Sequence, residues 1–89
     1  MTSKTTERFR KAFAGLPPHV QDRAREAYRQ FQADPHHPSL RLKQVHTTRP
    51  IYLARVGLGY RALAVRDADL YLWFWIGTHA DYDLLLRQL

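Results

Sequence analysis

Six side chains between residues 43 and 82 of this sequence are of types that do chemistry, at spacings that let them do it together: Lys43, His46, Arg55, Arg61, His79 and Tyr82. Arg55 and Arg61 flank Gly57-Leu58-Gly59, a glycine-rich turn between two β-forming runs. A tight hairpin there makes them cross-strand neighbours. Two guanidinium groups side by side repel each other and suit an anion between them, a phosphate above all. The plain reading of the pair is that each reaches solvent or meets a carboxylate. His79 follows Gly77-Thr78 at the end of an aromatic run, where a histidine can carry protons near neutral pH. Its plain reading is a first-turn helix residue. Tyr82 opens the apolar stripe of a last helix, so packing is its default role. The alternative is a hydroxyl or ring offered to a nucleic-acid base.

Other chemistries are excluded. The chain has no cysteine, which removes thiolate nucleophiles, disulfides and cysteine-type zinc sites. It has no glycine-rich phosphate loop ahead of a helix, no serine elbow and no His-x-x-x-His pair. The adjacent His36 and His37 beside Pro38 read as solvated. No metal and no cofactor is expected.

These candidates need a scaffold, and 89 residues supply one domain, residues 1–89. The pattern changes once, near Pro35. Before it, Phe9, Ala12, Phe13 and Leu16 recur at helical spacing, and Gly15 with Pro17-Pro18 stops that helix. A second helix starts at once, with Val20, Ala24, Ala27, Tyr28 and Phe31 as its stripe and Asp34-Pro35 as its end. The tight joint predicts an antiparallel helical hairpin over residues 7–33. After Pro35 the chain reads as a meander: a short strand from Leu40 to Val45, then Ile51–Val56, Tyr60–Arg66 and Leu70–Ile76. In the last run Leu70, Leu72, Phe74 and Ile76 alternate with Tyr71, Trp73 and Trp75, so both faces are apolar and the strand belongs inside the sheet. Thr78 and Asp81 have capping-box spacing, and Tyr82, Leu85, Leu86 and Leu89 give a helical stripe after them. The expected fold is α+β: a helical hairpin on one face of a small antiparallel sheet, the other face left for solvent or a partner, and a short C-terminal helix.

Charge narrows the partners. Fourteen Lys+Arg stand against eight Asp+Glu, a net of +6, and eleven of the fourteen are arginine. Residues 1–66 carry a net of +9 and residues 67–89 a net of −3. A basic, arginine-rich domain suits nucleic acid, an acidic protein or an anionic surface, and its plain reading is a soluble domain with a basic face. No apolar run approaches the ~20 residues of a membrane span. Met1 to Arg10 is polar and has no apolar signal-peptide core. With the absence of cysteine, this predicts a cytoplasmic protein.

The stretch from Ile51 to Leu63, with Leu42-Lys43 upstream, resembles the arginine hairpin of the RelE/ParE toxin superfamily. Trp75-Ile76-Gly77-Thr78-His79-Ala80-Asp81-Tyr82 is similar to the closing strand of RelE-like and YafQ-like members. The helical hairpin with Leu16-Pro17 is also typical, and together these pieces span residues 6 to 86. The resemblance implies the toxin of a bacterial type II toxin–antitoxin pair, held by a cognate antitoxin whose acidic tail covers apolar pockets around Tyr71, Trp73 and Trp75. It implies a metal-independent endoribonuclease that cuts mRNA on the ribosome and stops translation. Residue by residue, it makes Arg55 and Arg61 the phosphate clamp, His79 the general acid or base and Tyr82 an aromatic that stacks on or orients a base. Lys43 matches a basic position before the hairpin and, with Arg41 and His46, is expected to bind RNA; His46 is also the candidate to stand in for an acidic general base. Members usually open with an apolar strand, whereas Met1 to Thr6 is polar, so that strand is expected to be short, missing or displaced. No acidic residue occupies the general-base position of some members. The superfamily also implies two alternatives, a ParE-type DNA gyrase inhibitor and a non-toxic binding protein of the same fold.

Overall fold

The computed structural model describes residues 2–88. Strand β1 (Thr2–Thr5) leads into helices α1 (Glu7–Ala14) and α2 (Pro18–Ala33). A 3-10 turn, Pro38–Leu40, precedes β2 (Lys43–Gln44), β3 (Ile51–Val56), β4 (Tyr60–Asp67) and β5 (Leu70–Thr78), and α3 (His79–Leu86) closes the chain. The five strands form one sheet in the order β1-β5-β4-β3-β2. The helical hairpin forms where the periodicity places it. Thr6 caps α1 by accepting from the Phe9 N–H at 3.0 Å. Pro18 sits in the first turn of α2, where its missing N–H costs nothing. Gln21 ties the joint together, donating from Nε2 to the carbonyls of Phe13, Ala14 and Leu16.

β1 makes the sheet mixed rather than purely antiparallel, because it runs parallel to β5 with Thr2 opposite Leu70 and Thr5 opposite Trp73. The expectation of a short or displaced opening strand is met by four polar residues. They hold an edge because side chains from the core seek them out. The Ser3 hydroxyl accepts from the Trp73 indole N–H at 3.0 Å and from the Tyr28 hydroxyl at 2.9 Å. Arg10 donates to the Thr5 carbonyl at 2.6 Å. Apolarity is not required of a strand whose anchors are hydrogen bonds.

The last strand departs from simple alternation. Leu63 faces Trp75 and Ala64 faces Trp73, so Phe74 is an extra residue, a β-bulge. The bulge reverses the facing of residues 75 and 76. Tyr71 and Trp73 remain on the hairpin face, but Ile76 joins them there and Trp75 turns to the opposite face beside Phe74. The assignment of Ile76 to Phe74's face, and of Trp75 to that of Tyr71 and Trp73, is therefore corrected. β5 lies inside the sheet, as both its faces demand.

Two cores result. Beneath the hairpin, Phe31 is 1% exposed and meets Tyr71 and Trp73 edge-on at 5.0 and 5.2 Å. Such pairs add ~0.5–1.5 kcal/mol beyond the area they bury. On the other face Ile51, Leu53 and Leu63 receive Tyr82, Leu85 and Leu86 of α3, so that face is partly covered rather than left open. Leu89 of the expected stripe lies outside the described residues. The expected strand from Leu40 to Val45 shrinks to Lys43–Gln44, because Leu40 belongs to the 3-10 turn and Arg41 adopts left-handed backbone, φ 46°. Among the described residues no helix is long and apolar enough to cross a membrane.

Candidate functional site

The glycine turn builds the first half of the site. Gly57 takes a positive φ of 62°, and the ladder on either side pairs Val56 with Tyr60 and Arg55 with Arg61. The cross-strand neighbourhood expected from spacing is therefore one of direct opposition. Opposed residues project to the same side of a sheet, and Leu53 and Leu63, two residues away on each strand, belong to the core under α3. Arg55 and Arg61 thus share the α3 face. Lys43 shares it too, since it pairs with Leu53.

Both guanidinium groups lean on the turn. Arg55 donates from Nε to the Gly57 carbonyl at 3.2 Å. Arg61 donates from Nη1 to the Tyr60 carbonyl at 2.8 Å and to the Leu58 carbonyl at 3.4 Å. Among the described residues neither arginine makes an ion pair. Backbone carbonyls hold them in place while leaving their charge uncompensated. That is the electrostatic character of an anion clamp.

α3 supplies the second half. The Thr78 hydroxyl caps it, accepting from the Asp81 N–H at 3.1 Å, so the cap is Thr78 and Asp81 is its first-turn partner. The His79 N–H donates to the Gly59 carbonyl at 2.9 Å, which docks the helix start onto the hairpin turn. The His79 ring stacks near Tyr82, with centroids 6.4 Å apart and planes 23° apart. Its Nε2 lies 3.6 Å from Asp83 Oδ1, both side chains about half exposed. Motif reading misses Asp83, yet the i,i+4 spacing of His79 and Asp83 on a capped helix is a readable signal.

Tyr82 is only 6% exposed and packs with Ile51, Leu53 and Leu63. Little of its ring is open to solvent, since it packs on this core and stacks near His79. Burial pushes its phenol up, Asp83 adds to that, and Arg61 pulls it the other way. The Tyr82 hydroxyl thus lies within the field of both Asp83 and Arg61. Trp75 is half-buried on this face, 6.4 Å from Tyr82 and opposite Leu63. Only the bulge brings Trp75 to this face, which is why alternation places it elsewhere.

The remaining candidates stand apart. His46 organises the β2–β3 loop: its Nδ1 accepts from the Thr48 and Arg49 N–H groups at 3.2 and 3.1 Å, so a neutral ring carries its proton on Nε2. Arg41 is exposed beyond the 3-10 turn, and no strand pairing places it on the α3 face. Tyr71 and Trp73 are 5% and 4% exposed, and Trp73 also lines an apolar groove between the hairpin and the sheet. This groove of about 530 Å³ is lined by Phe9, Phe13, Phe31 and Ile76, and Lys4, Arg10, Arg25 and Arg29 also line it with no carboxylate.

No curated protein matches the chain. Solved structures match its fold. The RelB-RelE antitoxin-toxin complex of Methanococcus jannaschii aligns with a TM-score of 0.72 at 20% identity, over 90% of this chain and 95% of the other. YafQ of E. coli aligns at 0.71 and 10% identity, over 90% and 94%. A YoeB/ParE toxin from Agrobacterium tumefaciens aligns at 0.67 and 8% identity, over 89% and 99%. The profile of the ParE-like toxin domain matches residues 18–83, from the start of α2 through the arginine hairpin to Asp83. With the RelE-like architecture and this match over most of its length, the chain belongs to the ParE-like toxin domain family.

Proposed function

We propose that this protein is the toxin of a bacterial type II toxin–antitoxin pair and acts as a metal-independent mRNA endoribonuclease on the ribosome. The observation that supports the reading is the direct opposition of Arg55 and Arg61 beside a turn on which the start of α3 docks through the His79 N–H, with neither arginine in an ion pair among the described residues. Phosphodiester cleavage by the neighbouring 2′-hydroxyl needs little more. The 2′-oxygen forms a bond to phosphorus, the bond from phosphorus to the 5′-oxygen breaks, the 2′-proton leaves to a base, and the departing 5′-oxygen takes one up. Arg61 and Arg55 stabilise the charge on the five-coordinate phosphorus. His79 moves a proton at the mouth of the clamp, with Asp83 beside it and Tyr82 beneath it. Lys43 extends the positive face toward the flanking strand, and the half-buried indole of Trp75 offers a ring on which a base can stack.

The partner half of the reading is a cognate antitoxin. The groove between the hairpin and the sheet suits its acidic, apolar segment, because Lys4, Arg10, Arg29 and the Asp22-paired Arg25 line an aromatic floor that, among the described residues, no carboxylate lines.

Primer extension on a reporter mRNA in a ribosome-containing translation mix tests the reading. Ribosome-dependent cuts that vanish in the Arg61→Ala variant support it. A DNA-damage response without mRNA cuts points to the gyrase-directed alternative, and no effect on either points to a binding protein.

A further inference from the structure

Gly57 is touched by two arginines that arrive from different elements. Arg55 of β3 donates to its carbonyl at 3.2 Å. Arg23 of α2 lies against its Cα: a Cβ at position 57 would stand 3.2 Å from Arg23 Cδ and 3.6 Å from Arg23 Nη1. The two arginines and Gly57 line a groove of about 380 Å³ between α2 and the β3–β4 turn. Gln30 and Ser39 are neutral polar walls of this groove, and Glu26 is its one carboxylate. Glu26 stands one helical turn from Arg23, yet among the described residues no ion pair forms between them, and none engages Arg55. Exposed arginines ordinarily spread into solvent, since like charges at short range repel. Two that meet on one glycine, with an open polar groove beside them, form a fork waiting for an anion.

We propose that Arg23 and Arg55 form a second phosphate subsite, which holds a backbone phosphodiester of the RNA strand at a nucleotide flanking the one that is cut. The identity of the strand rests on the nuclease reading above. The subsite's chemistry rests only on the two guanidinium groups. Arg55 belongs both to this groove and to the Arg55–Arg61 pair, so the groove continues the basic track from the α3 face around the glycine turn to α2. RNA is favoured over an acidic protein segment here, because the large aromatic floor that such a segment needs lies in the groove of Phe9 and Phe13.

Binding of a labelled oligoribonucleotide, made uncleavable by 2′-deoxy substitution, to the full chain across a NaCl series tests the proposal. Arg23→Gln is expected to weaken binding about three- to tenfold at low salt, alike for different sequences. It is expected to reduce the slope of log K against log salt by about 0.7, the value of one single-strand phosphate. Glu26→Gln is expected to tighten binding, by removing the carboxylate that faces the site. Circular dichroism checks that both variants fold. An unchanged slope in Arg23→Gln overturns the subsite. A wild-type chain that binds no RNA overturns the subsite, whereas the nuclease reading stands or falls on primer extension in the ribosome-containing mix. A chain that binds RNA with the expected slopes but cuts no mRNA overturns the nuclease reading and leaves the subsite standing.

Discussion

Arg55 and Arg61 sit directly opposite each other across the β3–β4 ladder, and their side chains donate to backbone carbonyls of Gly57, Leu58 and Tyr60 between them. Like charges directly opposite in a sheet destabilise it. The pair therefore contributes nothing to folding that an alanine would lose. Arg61→Ala is expected to leave the unfolding free energy within ~1 kcal/mol of wild type, or to raise it slightly. The same substitution is expected to abolish mRNA cleavage. Denaturant unfolding and primer extension on the one purified variant measure both, and a large loss of stability would reassign Arg61 to structure.

His79 is expected to behave as a proton carrier. His79→Ala should slow cleavage roughly a hundredfold or more, the usual size of a lost general acid–base group. The double variant with Arg61→Ala should fall little below the worse single one, since groups acting on one transition state are not additive. Full activity in His79→Ala would reduce the residue to its backbone role, the N–H that docks α3 on Gly59.

Most of this fold is legible in the residues themselves. The helical stripes of Phe9–Leu16 and Val20–Phe31 place the hairpin. Gly57-Leu58-Gly59 sets a register in which Arg55 meets Arg61, and Thr78 marks the start of α3. The features that escape pattern reading do so for physical reasons. β1 is held by hydrogen bonds to Ser3 and Thr5 from residues elsewhere in the chain, which hydropathy cannot register. The bulge at Phe74 is a property of pairing between strands rather than of either strand alone, so period-two alternation misplaces Trp75 and Ile76. Spacing leaves Tyr82 open between core and site, and its 6% exposure decides for core. Arg23 carries no signal in the sequence, because its approach to Gly57 arises only when α2 lies across the sheet.

The raised phenol of Tyr82 gives a pH prediction with a definite sign. A tyrosine whose ionisation is harder in the folded state stabilises the fold fully below the ordinary tyrosine range near 10 and loses that contribution as pH rises above it. The wild-type unfolding midpoint is expected to fall more steeply above pH 10 than that of Tyr82→Phe, whereas the two profiles run parallel between pH 7 and 9. Parallel profiles over the whole range would show that Tyr82 ionises as freely folded as unfolded.

The core beneath the hairpin sets the cost of a large truncation. Phe31 is 1% exposed and touches both Tyr71 and Trp73, so Phe31→Ala leaves a cavity that a sheet on one side and a helix on the other cannot close. The expected loss is ~3–5 kcal/mol, a large share of what a chain this short possesses. Urea unfolding followed by tryptophan fluorescence reads it directly through Trp73, and a loss below about 1 kcal/mol would mean that the hairpin collapses onto the gap.

Gly77 is the position where a single methyl group reaches the site. It faces Arg61 across the β4–β5 ladder, and the Trp75 indole lies over it: a Cβ there would come within 2.7 Å of Trp75 Cζ2 and 2.9 Å of Trp75 Cη2. Real contacts are never so close, so in Gly77→Ala the indole must swing away or the strand must yield. The indole is hemmed in by Tyr82 and Leu63, which makes the move expensive, ~1–3 kcal/mol for an overpacked site. Trp75→Phe removes the two offending atoms. Gly77→Ala in that background is therefore expected to cost well under half as much, a coupling that a double-mutant cycle measures from four unfolding curves. If the cost is unchanged, the strain lies in the backbone at position 77 rather than in the indole. The same cycle scored by mRNA cleavage separates the two roles of Trp75: an indole displaced by Gly77→Ala but still supporting cleavage has no part in base stacking, whereas a loss of cleavage larger than the loss of stability explains places the indole edge in contact with RNA.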